Sequence, residues 1–506
     1  MNDTSPLLSE VDALVREAVA AYAGTPQEPE LQALSVRLGE PLRVAIAGRV
    51  KAGKSTLLNA LVGQELAPTD AGESTRIVTW YRNGVTYRGT LYPDDGAPVD
   101  VPFTKDDDGA VRFDLRGHRP EDVARLEIEW PSRRLVQMTL IDTPGIASLS
   151  MAGERTMRFL APGEEGASVA DAILYLMRHV HRTDIRFLEA FHDEDLSSAS
   201  PVNAVGILSR ADEIGVARLD ALDTAARIAT RYRSEPVIRR LCQTVLPVSA
   251  LVAEAGATLT QDEFAALATI AGLPAAQVDD LLLSVDRFVE PVLADGVEPE
   301  RRSRLLRRMG LFGVRFAVDG MRAERIRSAP ELATRLVEVS GLEQLRELMA
   351  TQLTARRDVL KARSALLGVR AALRARTVPA SDELARGLER IESGAHAFAE
   401  ARLLLALRAG ETGLSDDEAG AAERLLGTDG GGLPHRLGLP DDASSDAIRG
   451  ALLDGLRRWQ SRAESPMSNA EAVEAARVLV RSVEGLIARQ DAEGRGAEPQ
   501  PSQNGS

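Results

Sequence analysis

Eight residues limit what this chain can be: Gly48-Arg49-Val50-Lys51-Ala52-Gly53-Lys54-Ser55. They fit the phosphate-loop pattern G-x-x-x-x-G-K-[ST] at every fixed position. Before them lies Leu42–Ala47, an apolar run short enough to be a buried strand; after them Thr56–Val62 reads as a helix. Strand, glycine loop and helix form the context in which the pattern has a mechanism. A polyphosphate must be held without water, and Gly48 and Gly53 let the backbone turn its N–H groups inward. The first helical turn adds unpaired N–H groups and the positive end of its dipole. Lys54 brings a mobile positive charge to the outer phosphates, and Ser55 a hydroxyl for Mg²⁺. The candidate nucleotide contacts here are Gly48, Val50, Ala52, Gly53, Lys54, Ser55 and Thr56.

Four further strings bear on which nucleotide. Asp142-Thr143-Pro144-Gly145 follows the apolar run Leu135–Ile141. An aspartate at a strand end can hold Mg²⁺ through its water shell, and the Gly145 N–H can contact a terminal phosphate. Pro68–Arg76 is rich in turn residues, and a loop there can close over Mg²⁺ with Thr75 as ligand; Thr79 is the rival, in strand-like sequence. Ser209-Arg210-Ala211-Asp212 follows Val202–Leu208. Its carboxylate matches the N1–H and N2–H₂ donors of guanine, a pair that adenine lacks, while the Arg210 stem can pack along the base. The usual string is [NT]-K-x-D, so S-R-x-D departs from it, and a surface Asp–Arg turn is the competing reading. Val248-Ser249-Ala250, at the end of a short strand, fits the last base-contacting loop.

Around these motifs, strand-like and helix-like stretches alternate from Glu40 to about Leu353, which predicts an α/β domain. The expected strands are Leu42–Ala47, Ile77–Tyr81, Tyr87–Leu91, Leu126–Trp130, Leu135–Ile141, Ala172–Met177, Val202–Leu208 and Val245–Val248, with Pro93–Asp108 read as turns. The expected architecture is an α/β P-loop head, mostly parallel with helices on both faces, and an all-α helical bundle. The chain divides into N-terminal helices over 1–39, opened by Ser5 as cap and Pro6 in the first turn, and a head over 40–355 with a helical insertion at 254–332. A helical neck over 356–491 and a disordered tail over 492–506 complete it. A long helix is expected from Leu342 with no strong breaker before Val378-Pro379.

Composition narrows the setting. At 506 residues and 44% hydrophobic, the chain can bury more than one core. A net charge of −14 gives no global field toward nucleic acid. One cysteine, Cys242, allows no disulfide within the chain, which suits a reducing cytosol. Met1–Pro6 lacks the basic and apolar parts of a secretory signal, and no run of about 18 apolar residues occurs. The expected location is the cytoplasm, with any membrane contact peripheral, at the inner face of the cytoplasmic membrane. Lysine is rare: of Lys51, Lys54, Lys105 and Lys361, two lie in the phosphate loop.

At this point the chain resembles the bacterial dynamin-like proteins, large GTPases of the dynamin superfamily, and within them the actinobacterial isoniazid-inducible-type branch. Gly48–Leu61 is similar to their phosphate loop and first helix, and Ala67–Trp80 and Ser209–Glu213 to their switch and base-recognition segments. The motifs cover about Glu40 to Ala250; the helical half matches in architecture only. The resemblance implies GTP as substrate with Mg²⁺ held by Ser55, Thr75 and Asp142. It implies catalysis involving Lys51, Lys54, Ser55, Thr75 and Gly145, and base contacts from Ser209, Arg210, Asp212, Ser249 and Ala250. It further implies head-to-head self-association, a paralogous dynamin-like partner, and a helical neck that swings to remodel membrane. In dynamins the position of Lys51 serves charge compensation through a monovalent cation or an arginine; an ammonium there can take that role, or be a solvated loop lysine.

Two stretches are candidates for lipid contact. Arg301–Val314 sets arginines beside Leu and Phe, suited to anionic lipid or to a packed helix with Leu305, Met309 and Phe312 inward. Leu433–Leu439 is suited to a distal tip or to capping the bundle. No long polybasic paddle is present. A nonmechanical GTP-loaded adaptor is therefore the alternative function, and an ATP-using enzyme is disfavoured by Asp212.

Overall fold

The computed structural model describes residues 5–67, 77–105, 111–145, 168–191, 203–289, 297–427 and 432–496. Eleven strands are formed: β1 (Leu42–Gly48), β2 (Thr79–Asn83), β3 (Arg88–Pro93), β4 (Val99–Val101), β5 (Phe103–Lys105), β6 (Val111–Phe113), β7 (Val123–Trp130), β8 (Met138–Asp142), β9 (Ala172–Met177), β10 (Ala204–Ser209) and β11 (Val245–Val248). Nine build one sheet in the order β11-β10-β9-β1-β8-β2-β7-β3-β4; β5 and β6 pair separately. β11, β10, β9, β1 and β8 are parallel, β2 runs against β8, and β7 lies parallel to β2.

Alternation along the central strands explains why both faces are covered. On β1, Leu42, Val44 and Ile46 point into one buried cluster with Leu57, Leu58 and Leu61 of the phosphate-loop helix. Ala45 and Ala47 point into the other, with Ile173, Tyr175 and Met177 of β9 and Phe187. Strands buried on both faces read as continuous apolar runs, which is why β9 and β11 have the limits expected from the sequence. Every element after β11 among the described residues is helical.

The N-terminal arm opens as expected, with the Ser5 side chain capping the Pro6–Ala21 helix. Its Leu14, Val15 and Ala18 pack with Leu366 and Val369 of the Arg357–Ala375 helix and Leu384 and Leu388 of the next. Tyr22 pins the end of the arm by donating to the Ala372 carbonyl at 3.1 Å and the Arg376 carbonyl at 2.6 Å.

Several expectations are corrected. Val99–Val101 and Phe103–Lys105 are strands, not turns: β4 completes the sheet edge by pairing with β3. β8 starts at Met138, because Arg133–Leu135 forms a short 3₁₀ turn. The long helix from Leu342 is interrupted: Met349–Thr354 widens into a π-helical turn before Arg357–Ala375 begins. The last helix runs Ala470–Gly496, so the tail expected from 492 is helical over its first five residues.

Both candidate lipid segments turn their apolar residues inward. Leu305, Met309 and Phe312 are fully buried in the insertion core. Leu433 and Leu437 pack against the main core beside Leu425. No helix among the described residues is long and apolar enough to cross a membrane.

Candidate functional site

Parallel strands place their C-terminal ends on one edge of the sheet, and ligands in such folds bind in the crevice outside that edge. β1, β8, β10 and β11 each end there in one of the strings singled out above.

Gly48 closes β1 at φ 147°, pressed so tightly on the Leu176 carbonyl of β9 that a Cβ would collide with it. Gly53, at φ 91°, caps the Lys54–Val62 helix in the left-handed conformation. Lys51 is left-handed too, at φ 62°, and exposed. Ala52 is buried under the loop while Val50 is exposed on it. Lys54 folds back over the cradle, its Nζ donating at 3.4 Å to the Gly48 carbonyl and 3.3 Å to the Arg49 carbonyl. These are long bonds for an ammonium. Burial pushes its pKa below the usual lysine value, and the Asp142 carboxylate opposes that shift.

Ser55 Oγ donates to Asp142 Oδ2 at 2.7 Å. Asp142 Oδ1 is buried and has no hydrogen-bond partner among the described residues. Burial pushes the Asp142 pKa up, while Lys54, the Ser55 bond and the Thr143 backbone N–H hold it down. A buried carboxylate oxygen without a donor is costly unless a cation completes it, so the pair fits Mg²⁺. Gly145 lies against the phosphate loop, where a Cβ would come within 2.7 Å of Val50 N. Thr79 is in β2 opposite Asp142, its hydroxyl donating to the Ile77 carbonyl at 3.2 Å. Thr75 lies outside the described residues.

The residues expected to contact the base also converge. β10 and β11 run parallel with Ser209 opposite Val248. Ser249 Oγ donates to Asp212 Oδ1 at 2.6 Å, and the same hydroxyl accepts from Val252 N to cap the Ala250–Thr258 helix. Asp212 is buried, and that burial raises its pKa against the Ser249 bond. Ser209 Oγ is buried without a partner among the described residues, and Ala250 is buried beside it in sequence to Ser249. Arg210 is left-handed at φ 53°, its guanidinium on Glu213 at 2.6 Å.

Two residues of this region gave no signal in sequence. Gly310 breaks the Pro299–Arg322 helix at φ 65°, ψ 175°, a conformation nearly exclusive to glycine. The break faces Asp212, and a Cβ there would sit 3.5 Å from Asp212 Oδ2. That is ordinary van der Waals distance, so position 310 lies close against the Asp212 carboxylate. Asn59, in the phosphate-loop helix, accepts from Leu66 N at 2.9 Å and Ala67 N at 2.7 Å, and donates to Glu254 Oε1 at 2.8 Å. It ties the phosphate-loop helix to the chain just before residue 68 and to the insertion. A lone Asn in an apolar helix face is the only hint the sequence offers of this.

Burial pushes the Glu254 pKa up to about 7, with Glu65 adding to the rise and Asn59 and Arg308 opposing it. Arg308 itself bonds Glu65 and Glu263. Because the folded value exceeds the unfolded 4.5, the neutral acid is the stabilised form. Its contribution is complete below pH 4.5 and is lost as pH rises through about 7. Glu254→Gln keeps the acceptor for Asn59 and stays neutral. It is expected to be more stable than wild type at pH 8, by up to about 3 kcal/mol, with most of the gain lost at pH 5 in urea titrations. An equal gain at both pH values would mean that Glu254 does not titrate in this range.

Comparison with known proteins agrees with this geometry. A family described as 50S ribosome-binding GTPase matches residues 43–205, from β1 into β10. The isoniazid-induced protein IniC of Mycobacterium tuberculosis is 39% identical over 486 residues, 94% of this chain and 98% of that protein. The bacterial dynamin-like protein of Nostoc punctiforme is 28% identical over 146 residues, 27% of this chain and 20% of that protein. A solved oligomerised bacterial dynamin pair is 13% identical, covering 97% of this chain and 78% of that one at a TM-score of 0.29, too loose a superposition for comparing assemblies.

Proposed function

The chain belongs to the family of the isoniazid-induced protein IniC, within the bacterial dynamin-like GTPases, and on that footing we propose that it hydrolyses GTP to GDP and phosphate with Mg²⁺. The observation that carries the reading is the buried, unpartnered Asp142 Oδ1 beside Ser55 and Lys54. Ser55 and Asp142 would hold Mg²⁺, with Thr75 as third ligand, and the bound ion would supply charge neutralisation at the outer phosphates. Lys54 lifts from the Gly48 and Arg49 carbonyls to the phosphates, which replace two long bonds with short charge-assisted ones. The Gly145 N–H reports the terminal phosphate, and its contact with Val50 passes that state to the phosphate loop. Asp212, oriented by Ser249, accepts from the guanine edge.

We assign residues 40–355 to the head, with the insertion at 254–332, and 1–39 with 356–491 to the neck. The arm's packing on the Arg357–Ala375 helix supports a neck made from both flanks. Two heads pair across their nucleotide faces, and hydrolysis moves the neck at the inner face of the cytoplasmic membrane, with a paralogous dynamin-like partner. A second reading, a GTP-loaded adaptor without mechanical work, is favoured by the inward packing of both candidate lipid segments. GTP turnover per molecule against protein concentration separates the two, with ATP as control and with and without anionic vesicles. A rate that climbs with concentration supports head pairing; a flat, slow rate with tight GTP binding supports the adaptor; equal use of ATP would sink both.

Lys51 is exposed in the loop, and we propose that its ammonium compensates charge at the bridging oxygens. Lys51→Ala is expected to lower kcat by about tenfold or more and to make the remaining rate depend on K⁺ over Na⁺. Unchanged rates in both salts would remove Lys51 from the mechanism.

A further inference from the structure

A cavity of about 440 Å³ lies away from the nucleotide edge, where the sheet meets the helices that follow residue 356. Its volume is in the range of sites for small organic ligands. Asn203, immediately before β10, forms one wall; the Arg357–Ala375, Ser381–Gly394 and His396–Ala409 helices form the others. Buried Leu366, Phe398 and Leu404 make its apolar lining.

The polar groups that face this space are arranged unevenly. Arg356, Arg363 and Arg402 line it, and so do Glu389, Glu392 and Glu400. Two of the acids are engaged by other groups. Glu392 is held bidentately by Arg370 at 2.7 and 2.9 Å. Glu400 accepts from Ser482 Oγ at 2.6 Å and lies 3.5 Å from His396 Nε2. Glu389 is exposed. Arg356 gives a donor to the Leu426 carbonyl and feels the Glu400 carboxylate, and Arg402 gives one to the Glu392 carbonyl at 3.0 Å. Burial and the neighbouring Arg356 press the guanidinium of Arg436 down to about 10, a sign of crowded positive charge on this side. Asn203 is 2% exposed, and its Oδ1 has no hydrogen-bond partner among the described residues. An amide can turn either its oxygen or its nitrogen toward a ligand.

We propose that this cavity is a second ligand site, distinct from the nucleotide site, which takes an amphiphilic anion: a phosphate or carboxylate group on the arginines and Asn203, and an aliphatic body against Leu366, Phe398 and Leu404. Guanidinium forks suit such oxyanions, and apolar walls raise the strength of each charged contact. The occupant touches the sheet and the helical part at once. β10 starts at its wall and ends five residues later at Ser209, in the proposed base-recognition string.

Calorimetric titration of the full chain, with GDP in excess so that the phosphate loop is filled, tests this. The probes are octyl phosphate, inorganic phosphate and octyl glucoside, all below micelle formation. Saturable one-to-one binding of octyl phosphate is expected, at least tenfold tighter than either of the others. Ala401→Trp, which fills the cavity without removing charge, and Arg402→Met, which removes charge without filling it, are each expected to weaken that binding at least tenfold. Absence of saturable binding to wild type overturns the site outright, even if a variant fails to fold. Binding of octyl glucoside as tight as octyl phosphate overturns the anion, and inorganic phosphate as tight as octyl phosphate overturns the amphiphile. Octyl phosphate binding that survives in folded Ala401→Trp, or appears only without GDP, places the ligand elsewhere and overturns the proposal.

Discussion

Lys54→Ala is expected to bind GTP at least about 100-fold more weakly than wild type, with GDP affected as well. A hydrogen bond to a charged group contributes about 1.5–3 kcal/mol net, and the ammonium is placed to serve two phosphates, so a loss of about 3 kcal/mol or more follows. The substitution also removes the charge that holds the Asp142 pKa down, so the Mg²⁺ pair is weakened along with the phosphate contact. The fold should survive. Lys54 makes long bonds to the Gly48 and Arg49 carbonyls, and its charge is desolvated. Titration of a fluorescent GTP analogue beside a thermal melt checks both halves. Unchanged affinity in the folded variant would mean that the cradle is not the phosphate site.

The residues of that cradle were legible because the chemistry demands them at fixed spacing. Gly48 must clear the Leu176 carbonyl, Gly53 must be left-handed before the helix, and Lys54 and Ser55 must stand in its first turn. No partner elsewhere in the chain changes that requirement. The central strands were legible for a related reason, since runs such as Ala172–Met177 are apolar on both faces. What depends on distant partners was not. β4 and β5 are three residues each, too short for their alternation to stand out between turn residues, and they exist because β3 and β6 offer backbone to pair with. The π-helical turn at Met349–Thr354 carries no breaker; it brings Gln352 into a buried bond with Gln243 at 2.5 Å. Gly310 looks like any helix glycine until Asp212 is seen opposite it. The end of the last helix was misplaced because extending an existing helix costs little per residue, so Ala492–Gly496 continues it despite composition suited to a tail.

Asp212→Asn is expected to exchange GTP for xanthosine triphosphate. In wild type the carboxylate offers two acceptors to a base edge with two donors, and Ser249 fixes its orientation through Oδ1. Position 310, a glycine, lies close against that carboxylate. Asparagine keeps an oxygen for Ser249 and for N1–H, but sets an NH₂ against the guanine amino group. Two donors then face each other in a buried site. Sites built for hydrogen bonding reject such mismatches by about 10⁴-fold, and a loss of at least about 100-fold in GTP affinity is the conservative expectation. Xanthine carries an oxygen where guanine carries its amino group, so the same NH₂ finds an acceptor and xanthosine triphosphate gains what GTP loses. Stability should hold or rise, because burial penalises the charge on Asp212 and the amide carries none. Competition of both nucleotides against a fluorescent GTP analogue on wild type, and against its xanthosine counterpart on the variant, reads the exchange. GTP affinity retained by the variant, with no gain for xanthosine triphosphate, would remove Asp212 from base recognition and leave it a buried partner of Ser249.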